Sequence, residues 1–152
     1  MKVVRYNFES NLHDAFIQMN LKWINEMFKV EQEDERVLTS IDDGVRNGNI
    51  IYFSLSDDNE PLSCLMLVKI DNDNYELCKF ASNFKQKGSG NLLINYVLED
   101  AKGFCKRIFI ATNTKCIAAI HLYEKYGFKV YNSKNTYGFS SDRVNICYEK
   151  IL

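Results

Sequence analysis

Hydrophobic residues in the first third of the chain recur at helical spacing. Between His13 and Phe28 the apolar residues that share one face are Ala15, Phe16, Met19, Trp23, Ile24 and Met27. The acidic residues 33–35 are typical of the first turn of a second helix, where carboxylates interact favourably with the helix dipole, and Gly44 and Gly48 mark its end. A short strand-like segment, Val3 to Tyr6, precedes both helices.

Three strand-like segments follow, and turn-forming residues separate them. The first is Ile50–Leu55, which ends at the run SDDNEP with the only proline of the chain. The second is Ser63–Ile70, and the run DNDN turns the chain into the third, Tyr75–Ala81. Two short turns of this kind predict an antiparallel meander.

Helices and strands alternate in the rest of the chain. The segment KQKGSGN precedes a helix that ends at Gly103 and whose apolar face carries Leu92, Leu93, Tyr96, Val97 and Ala101. A strand, a helix and two strands follow at Arg107–Thr112, Ile117–Tyr126, Phe128–Tyr131 and Val144–Ile151. The predicted order β-α-α-β-β-β-α-β-α-β-β indicates a mixed α/β (α+β) fold, and we expect one domain over residues 1–152.

Composition limits the classes of partner. Of 152 residues 46% are hydrophobic, and the net charge of −1 gives no electrostatic reason to expect nucleic acid or a membrane surface as partner. No apolar run approaches the length of about 18 residues that a membrane span needs, and MKVVRYNFES has no signal-like core. The five cysteines form no Cys-x-x-Cys pair. We therefore expect a cytoplasmic protein with reduced thiols and no metal.

The segment Lys85 to Asn91 lies between a predicted strand and a predicted helix. Glycines at positions 88 and 90 allow backbone amides to approach an anion closely, and the helix N-terminus adds partial positive charge. A pyrophosphate fits such a loop. An ordinary tight strand-to-helix turn has the same letters, and the loop is neither a Walker loop nor a full dinucleotide fingerprint.

A second motif, further along the chain, supports a ligand-binding role for this loop. The segment Ala119 to Phe128 resembles the motif A-I-x-L-Y-E-K-x-G-F of the GNAT superfamily of N-acetyltransferases. The loop resembles the Gln/Arg-x-x-Gly-x-Gly/Ala loop of the same superfamily, with Lys85 at its first position and Gly88 and Gly90 at its glycines. This resemblance implies a central, mostly antiparallel mixed sheet, splayed between strands 4 and 5 and flanked by about four helices. It also implies that acetyl-CoA binds in the splay.

The resemblance assigns cofactor contacts residue by residue. The backbone of Phe80 and Ala81 is expected to contact the acetyl and pantetheine amides, and the pyrophosphate is expected to bind the loop residues Lys85, Gln86, Lys87, Gly88, Ser89, Gly90 and Asn91. Two features depart from the superfamily. Cys116 stands where Asn usually bonds the pantetheine arm, which makes Asn113 the candidate substitute, and the run from Ala81 to Gly88 is shorter than usual.

Two residues are the catalytic candidates. By the resemblance, Tyr123 matches the tyrosine that protonates the leaving CoA thiolate, and it is therefore also expected to contact the cofactor. Glu76 stands where some members of the superfamily keep a glutamate that deprotonates the amine, directly or through water. Both have a plainer alternative, because Tyr123 fits a half-buried packing residue and Glu76 fits a solvent-facing residue of an antiparallel strand.

Four residues are candidates for binding the acceptor substrate. Trp23 and Phe28 fall where the leading helices of the superfamily overhang the acceptor, although core packing explains at least one of them equally well. Tyr137 and Arg143 lie on or before the last strand, where an arginine could clamp a substrate carboxylate. The segment from Ser141 to Ile146 echoes a Tyr-x-Arg-x-Asn-Ile ending in one subgroup.

The resemblance as a whole implies an enzyme that transfers the acetyl group of acetyl-CoA, its cosubstrate, to a primary amine by direct attack. A catalytically silent acetyl-CoA-binding sensor or interaction module of the same fold is the alternative. The identity of the amine is open, as is the choice between a monomer and a homodimer.

Overall fold

A computed structural model of the chain describes residues 1–131 and 143–152. The strands of this part of the chain are β1 (Lys2–Arg5), β2 (Ile50–Leu55), β3 (Pro61–Lys69), β4 (Asn74–Ser82), β5 (Arg107–Thr112), β6 (Lys129–Val130) and β7 (Ile146–Ile151). They form one sheet in the order β1-β2-β3-β4-β5-β7-β6. All neighbours are antiparallel except β4 and β5, which are parallel, so the predicted meander and mixed sheet are confirmed.

The helices of the described residues are α1 (Ser10–Met27), α2 (Gln32–Thr39), α3 (Ile41–Arg46), α4 (Ser89–Ala101) and α5 (Ile117–Lys125). The second helix predicted from the sequence is therefore two short helices, and the expectation of about four helices becomes five. The break is at Ser40, whose backbone (φ −125°, ψ 26°) is not helical and whose hydroxyl donates to the Arg36 carbonyl. None of these helices, taken over the described residues, is long and apolar enough to cross a membrane.

Alternation along the strands divides the core between the two faces of the sheet. Helices α4 and α5 cover one face, where Leu93, Val97 and Tyr123 pack against strand residues such as Leu77 and Ile108. Helices α1, α2 and α3 cover the other face, with a core made of Phe16, Leu38, Ile41, Ile51, Phe53, Cys64 and Met66. Successive residues of β4 therefore point to opposite faces of the sheet.

Strands β4 and β5 pair over only part of their length. The pairs are Asn74 with Arg107, Tyr75 with Ile108 and Glu76 with Phe109. Beyond Glu76 and Phe109, β4 continues to Ser82 and β5 continues to Thr112 without pairing with each other, so the two strands diverge. We call the opening beyond Glu76 and Phe109 the strand gap; it is the splay between strands 4 and 5 that the family resemblance implies.

Candidate active site

A β-bulge shapes the β4 side of the strand gap. The register between β3 and β4 shifts between Cys64 and Met66, and Lys79 in the shifted stretch of β4 has a left-handed backbone (φ 54°). After this bulge Phe80 packs on the α4 and α5 face, whereas Ala81 packs on the α1 face. The bulge thus places the backbone of Phe80 and Ala81, the predicted acetyl contacts, beside the opening.

Helix α5 directs Tyr123 at the strand gap from one face of the sheet. The side chain is 4% exposed and lies among the rings of Phe80, Phe128 and Tyr148, with centroid distances of 6.3, 5.8 and 6.3 Å. Its hydroxyl makes no hydrogen bond with any of the residues that the structure describes. Burial, together with the nearby thiols of Cys116 and Cys78, raises the pKa of Tyr123, so the hydroxyl keeps its proton at neutral pH.

Glu76 occupies the last position of β4 that pairs with β5, at the closed end of the strand gap. It alternates with Tyr75 and Leu77, which pack on the α4 face, so its side chain lies on the α1 face. The carboxylate has no hydrogen bond or ion pair within residues 1–131 and 143–152. Burial raises its pKa to about 7, and the charge of Glu33 adds to this effect while that of Lys79 opposes it.

The thiol of Cys78 connects the two catalytic candidates electrostatically. Cys78 is partly buried on β4, and the charge of Glu76 contributes to the raised pKa of this thiol. The same thiol contributes to the raised pKa of Tyr123. Glu76 on one face of the sheet and Tyr123 on the other therefore share a neighbour in the strand gap. The arrangement brings a carboxyl group and a phenol, both with a raised pKa, to opposite sides of the strand gap.

The glycine loop and the N-terminus of α4 present a row of free backbone amides. Gly88 adopts a left-handed conformation (φ 88°) as the N-cap of α4. Side chains in the same loop satisfy the amides before it, since Phe84 donates to the Ser82 hydroxyl and Lys85 to the Asn83 side chain. No amide from 86 to 91 donates a hydrogen bond within the described part of the chain. A helix N-terminus of this kind binds anions.

The side chains next to these amides have diverse partners. The side-chain oxygen of Asn91 accepts hydrogen bonds from Lys125 (2.7 Å) and from the hydroxyl of Tyr126 (3.2 Å), which ties α4 to α5. The Lys85 ammonium lies 3.9 Å from the Glu60 carboxylate at the surface, and the side chains of Gln86 and Lys87 are exposed. Ser89 is buried, and its carbonyl accepts a hydrogen bond from Ser63. The backbone amides and the exposed side chains of Gln86 and Lys87 are therefore all available to an anion in this loop.

The residues after β5 are organised by Asn113. Its side-chain amide donates to the Arg143 carbonyl (2.8 Å), and its oxygen accepts from the Lys115 amide (2.9 Å). Cys116 is the N-cap residue of α5 and is partly buried near Tyr123. The side chain of Asn113 is thus already bonded to the protein, and its assignment as a pantetheine partner stays a prediction.

The predicted acceptor residues gather where α1 ends. The indole of Trp23 donates to the buried side chain of Asn20 (3.0 Å) and meets the ring of Phe28 edge-on at 6.3 Å. The guanidinium of Arg143 lies 5.6 Å and the ammonium of Lys115 lies 5.8 Å from the centre of the Phe28 ring. The structure therefore brings three of the four predicted acceptor residues together; Tyr137, with Ser141 and Asp142 of the subgroup motif, lies outside the described residues.

A buried ionic cluster beside these residues was not predicted as a functional feature. Asp34, on α2, is a buried residue whose carboxylate accepts hydrogen bonds from Lys79 (2.9 Å), Arg143 (2.7 Å) and the Glu31 amide (2.9 Å). Arg143 also pairs with Glu31 at 3.0 Å. The sequence explains Asp34 only as a first-turn acid, and no local signal links it to Lys79 or Arg143, which are distant along the chain.

Comparison with known proteins supplies the family. Residues 17–128 match the profile of the acetyltransferase (GNAT) family. No curated protein matches the chain in sequence. Among solved structures, a GNAT acetyltransferase from Staphylococcus aureus Mu50 superposes with a TM-score of 0.81 at 16% identity over 99% of both chains.

Two further structures share the fold. An acetyltransferase from Streptococcus agalactiae 2603 has a TM-score of 0.81 at 18% identity, over 99% of this chain and 98% of its own. The PaiA N-acetyltransferase from Thermoplasma acidophilum, in complex with coenzyme A, has a TM-score of 0.70 at 16% identity over 100% of both chains. At such identities these structures show a common fold.

Proposed function

Because the chain belongs to the acetyltransferase (GNAT) family, we propose that it transfers the acetyl group of acetyl-CoA to a primary amine by direct nucleophilic attack. The amine nitrogen forms a bond to the acetyl carbonyl carbon while the bond from that carbon to the CoA sulfur breaks. Glu76 takes the proton that the amine loses, directly or through one water. Tyr123 gives a proton to the departing thiolate and recovers it from solvent.

The need for a base follows from the chemistry of alkyl amines. With a pKa near 10.4, only about one amine in 2,500 is neutral at pH 7, and only the neutral amine attacks. A carboxylate with an ordinary pKa near 4.3 is a weak acceptor for such a proton. Glu76, whose pKa is raised to about 7, is much better matched to the task.

The observation that carries the proposal is the environment of Glu76. It stands at the closed end of the strand gap, free of hydrogen bonds and ion pairs within the described residues, on the face that also holds Trp23 and Phe28. A carboxylate that only served the stability of a sheet would more often pair with a neighbouring cation. This placement therefore favours proton transfer over a structural role for Glu76.

The proposed binding of acetyl-CoA rests on the α4 N-terminus. The amides from 86 to 91 suit a pyrophosphate, and the backbone of Phe80 and Ala81 lies beside the strand gap into which an acetyl group would extend. The Thermoplasma acidophilum enzyme of the same fold is in complex with coenzyme A. Positioning the amine about 3 Å from the acetyl carbon can contribute roughly 7 to 11 kcal/mol to lowering the barrier.

A second candidate is a module that binds acetyl-CoA without turnover. Two observations favour it: Cys116 replaces the usual asparagine, and the side chain of Asn113 is bonded within the protein. The raised pKa of Tyr123 also makes proton donation to a thiolate less favourable. Glu76 argues against this candidate, because a binding module has no use for a carboxylate with a pKa near 7.

One experiment separates the two candidates. Acetyl-CoA is incubated with a panel of amines (amino acids, polyamines, aminoglycosides and peptides with a free N-terminus or lysine), and thiol release is followed alongside calorimetric titration with CoA. Turnover with any amine supports the enzyme. CoA binding without turnover supports the module, and the absence of CoA binding overturns both.

A further inference from the structure

The cluster around Asp34 joins parts of the molecule that the sheet leaves apart. Lys79 belongs to the β4 bulge, on one side of the strand gap. Arg143 precedes β7, which pairs with β5 on the other side, and its carbonyl is held by Asn113 at the end of β5. The Asp34 carboxylate bonds both cations, so one side chain of α2 spans the strand gap on the α1 face.

The cluster is too well buried to be an ordinary surface ion pair. The exposed fraction of the side chain is 1% for Asp34, 13% for Lys79 and 22% for Arg143. The hydrogen bonds from Arg143, Lys79 and the Glu31 amide outweigh the effect of burial and lower the pKa of Asp34 to about 2. A charge held in this way costs desolvation energy, which a purely apolar contact at the same place would not.

We propose that Asp34 is a positioning residue of the acetyltransferase site: its carboxylate braces the two diverging strands and, as the buried counter-ion of Lys79, offsets the positive charge that acts on Glu76. This role rests on the proposed function, in which Glu76 is the base. Lys79 stands three residues after Glu76 and directly before Phe80 and Ala81. The brace therefore holds both the backbone that would meet the acetyl group and the cation that acts on the base.

The charges around Glu76 determine what loss of Asp34 would do. The groups that act on it are Lys79 on β4 and Glu33 on α2, while the thiols of Cys78 and Cys147 in turn respond to its charge. With Asp34 neutral, the positive charge of Lys79 loses its buried counter-ion, while Arg143 keeps its ion pair with Glu31. Ionised Glu76 is then favoured, and its titration midpoint falls. Removal of the Lys79 charge has the opposite effect.

The test uses Asp34→Asn and Lys79→Met, with Glu35→Gln as the matched control. Glu35 lies on the same helix and is exposed, so its variant loses the same charge without touching the cluster. The midpoint of Glu76 is measured in the free protein by NMR of ¹³C-labelled glutamate carboxyls, with Glu76→Gln identifying the signal. Stability and the pH profile of kcat/KM are measured on the same variants.

We expect the Glu76 midpoint to fall by about half a pH unit or more in Asp34→Asn and to rise in Lys79→Met, while Glu35→Gln leaves it unchanged. The double variant Asp34→Asn/Lys79→Met should return towards the wild-type value, because both charges are gone. If Asp34→Asn alone does not fold, a lower midpoint in the double variant than in Lys79→Met isolates the effect of the Asp34 charge.

A midpoint in Asp34→Asn equal to that of Glu35→Gln, or shifts of the same sign in Asp34→Asn and Lys79→Met, would overturn the proposal and leave Asp34 a purely structural residue. The NMR measurement requires no turnover. Absence of activity with every amine therefore counts against the proposed function, whereas an active enzyme with an unmoved midpoint counts against the positioning role.

Discussion

Burial raises the pKa of both candidate catalytic side chains, with different consequences for each. For Glu76 a pKa near 7 improves the base, because half of the side chains are still ionised at neutral pH while the affinity for a proton is high. For Tyr123 the raised pKa preserves the donor proton but widens the gap to the pKa of a thiol, near 8.5. The raised pKa of Glu76 therefore suits its proposed role as base, whereas the proposed role of Tyr123 as acid depends on where its hydroxyl lies relative to the thiolate.

Replacing Glu76 with Gln keeps the shape of the side chain and removes the base. In the wild type kcat/KM should fall on the acidic side with a midpoint near pH 7, because the proposed base Glu76 must be ionised in the free enzyme. In Glu76→Gln the rate should drop by roughly 10²- to 10⁴-fold and this limb should disappear. The measurement is kcat/KM between pH 5.5 and 9; a variant that keeps the wild-type limb would move the role to another group.

Replacing Tyr123 with Phe removes only the hydroxyl and keeps the ring contacts with Phe80, Phe128 and Tyr148. We expect kcat to fall by roughly 10²- to 10⁴-fold with little change in CoA affinity, since the lost interaction forms as the thiolate leaves. Stopped-flow or steady-state kinetics with acetyl-CoA measure the effect. With a thioester whose thiol is much more acidic, part of the deficit should be recovered; an equal deficit with both donors would indicate misplaced substrate.

Among the elements, α4 contributes most directly to the site through its N-terminus. The N-cap Gly88 has a φ of 88°, a value that residues with a side chain rarely adopt. A Cβ added at this position would meet no atom within 4 Å. The constraint at this position is therefore backbone conformation rather than space. The backbone amides of the glycine loop and the dipole of α4 point at the same anion only if Gly88 keeps this conformation.

Replacing Gly88 with Ala should weaken CoA binding, because the new side chain lets the free loop relax from the left-handed backbone, and binding must restore that backbone at a cost of up to about 1 kcal/mol, or roughly fivefold in Kd. Gly103→Ala is the matched control at the other end of α4, where the closest atom to an added Cβ is the Asp100 carbonyl oxygen at 3.4 Å. Calorimetry with CoA on the folded variants measures the difference. Equal affinities in the two variants would remove the pyrophosphate from this loop.

For the molecule as a whole, Glu76 and Asp34 make opposite contributions to the pH dependence of stability. Folding raises the pKa of Glu76 from 4.5 to about 7, so its contribution is present below about pH 4.5 and is lost as the pH rises to about 7. Folding lowers the pKa of Asp34 from 3.8 to about 2, so its contribution is present above about pH 4 and is lost on acidification. Together these two groups favour a stability maximum between pH 4 and 5.

The variant Glu76→Gln lacks the first of these contributions. Its free energy of unfolding, relative to that of the wild type, should therefore increase by about 1 to 3 kcal/mol between pH 5 and pH 8. Urea denaturation at the two pH values measures this difference. A difference that does not depend on pH would mean that Glu76 titrates near its ordinary pKa and is not the base.

The sequence by itself determined the family and the order of the elements, because both are written in local patterns. The motif from Ala119 to Phe128 and the glycines at positions 88 and 90 identify the family, and hydrophobic periodicity locates the meander and the last two long helices. The one helix that the sequence predicted wrongly, the second, also failed for a local reason. The break at Ser40 depends on one non-helical backbone conformation, and no change in periodicity announces it.

Only the tertiary structure decided the electrostatics of the site. The pKa of Glu76 depends on how deeply the closed end of the strand gap is buried, and on the charges of Lys79 and of Glu33 from another element. Asp34 meets Arg143 across more than a hundred residues of chain. Such contacts follow from packing α2 over diverging strands, and no sequence spacing encodes them, because desolvation and Coulomb interactions depend on distance in space rather than along the chain.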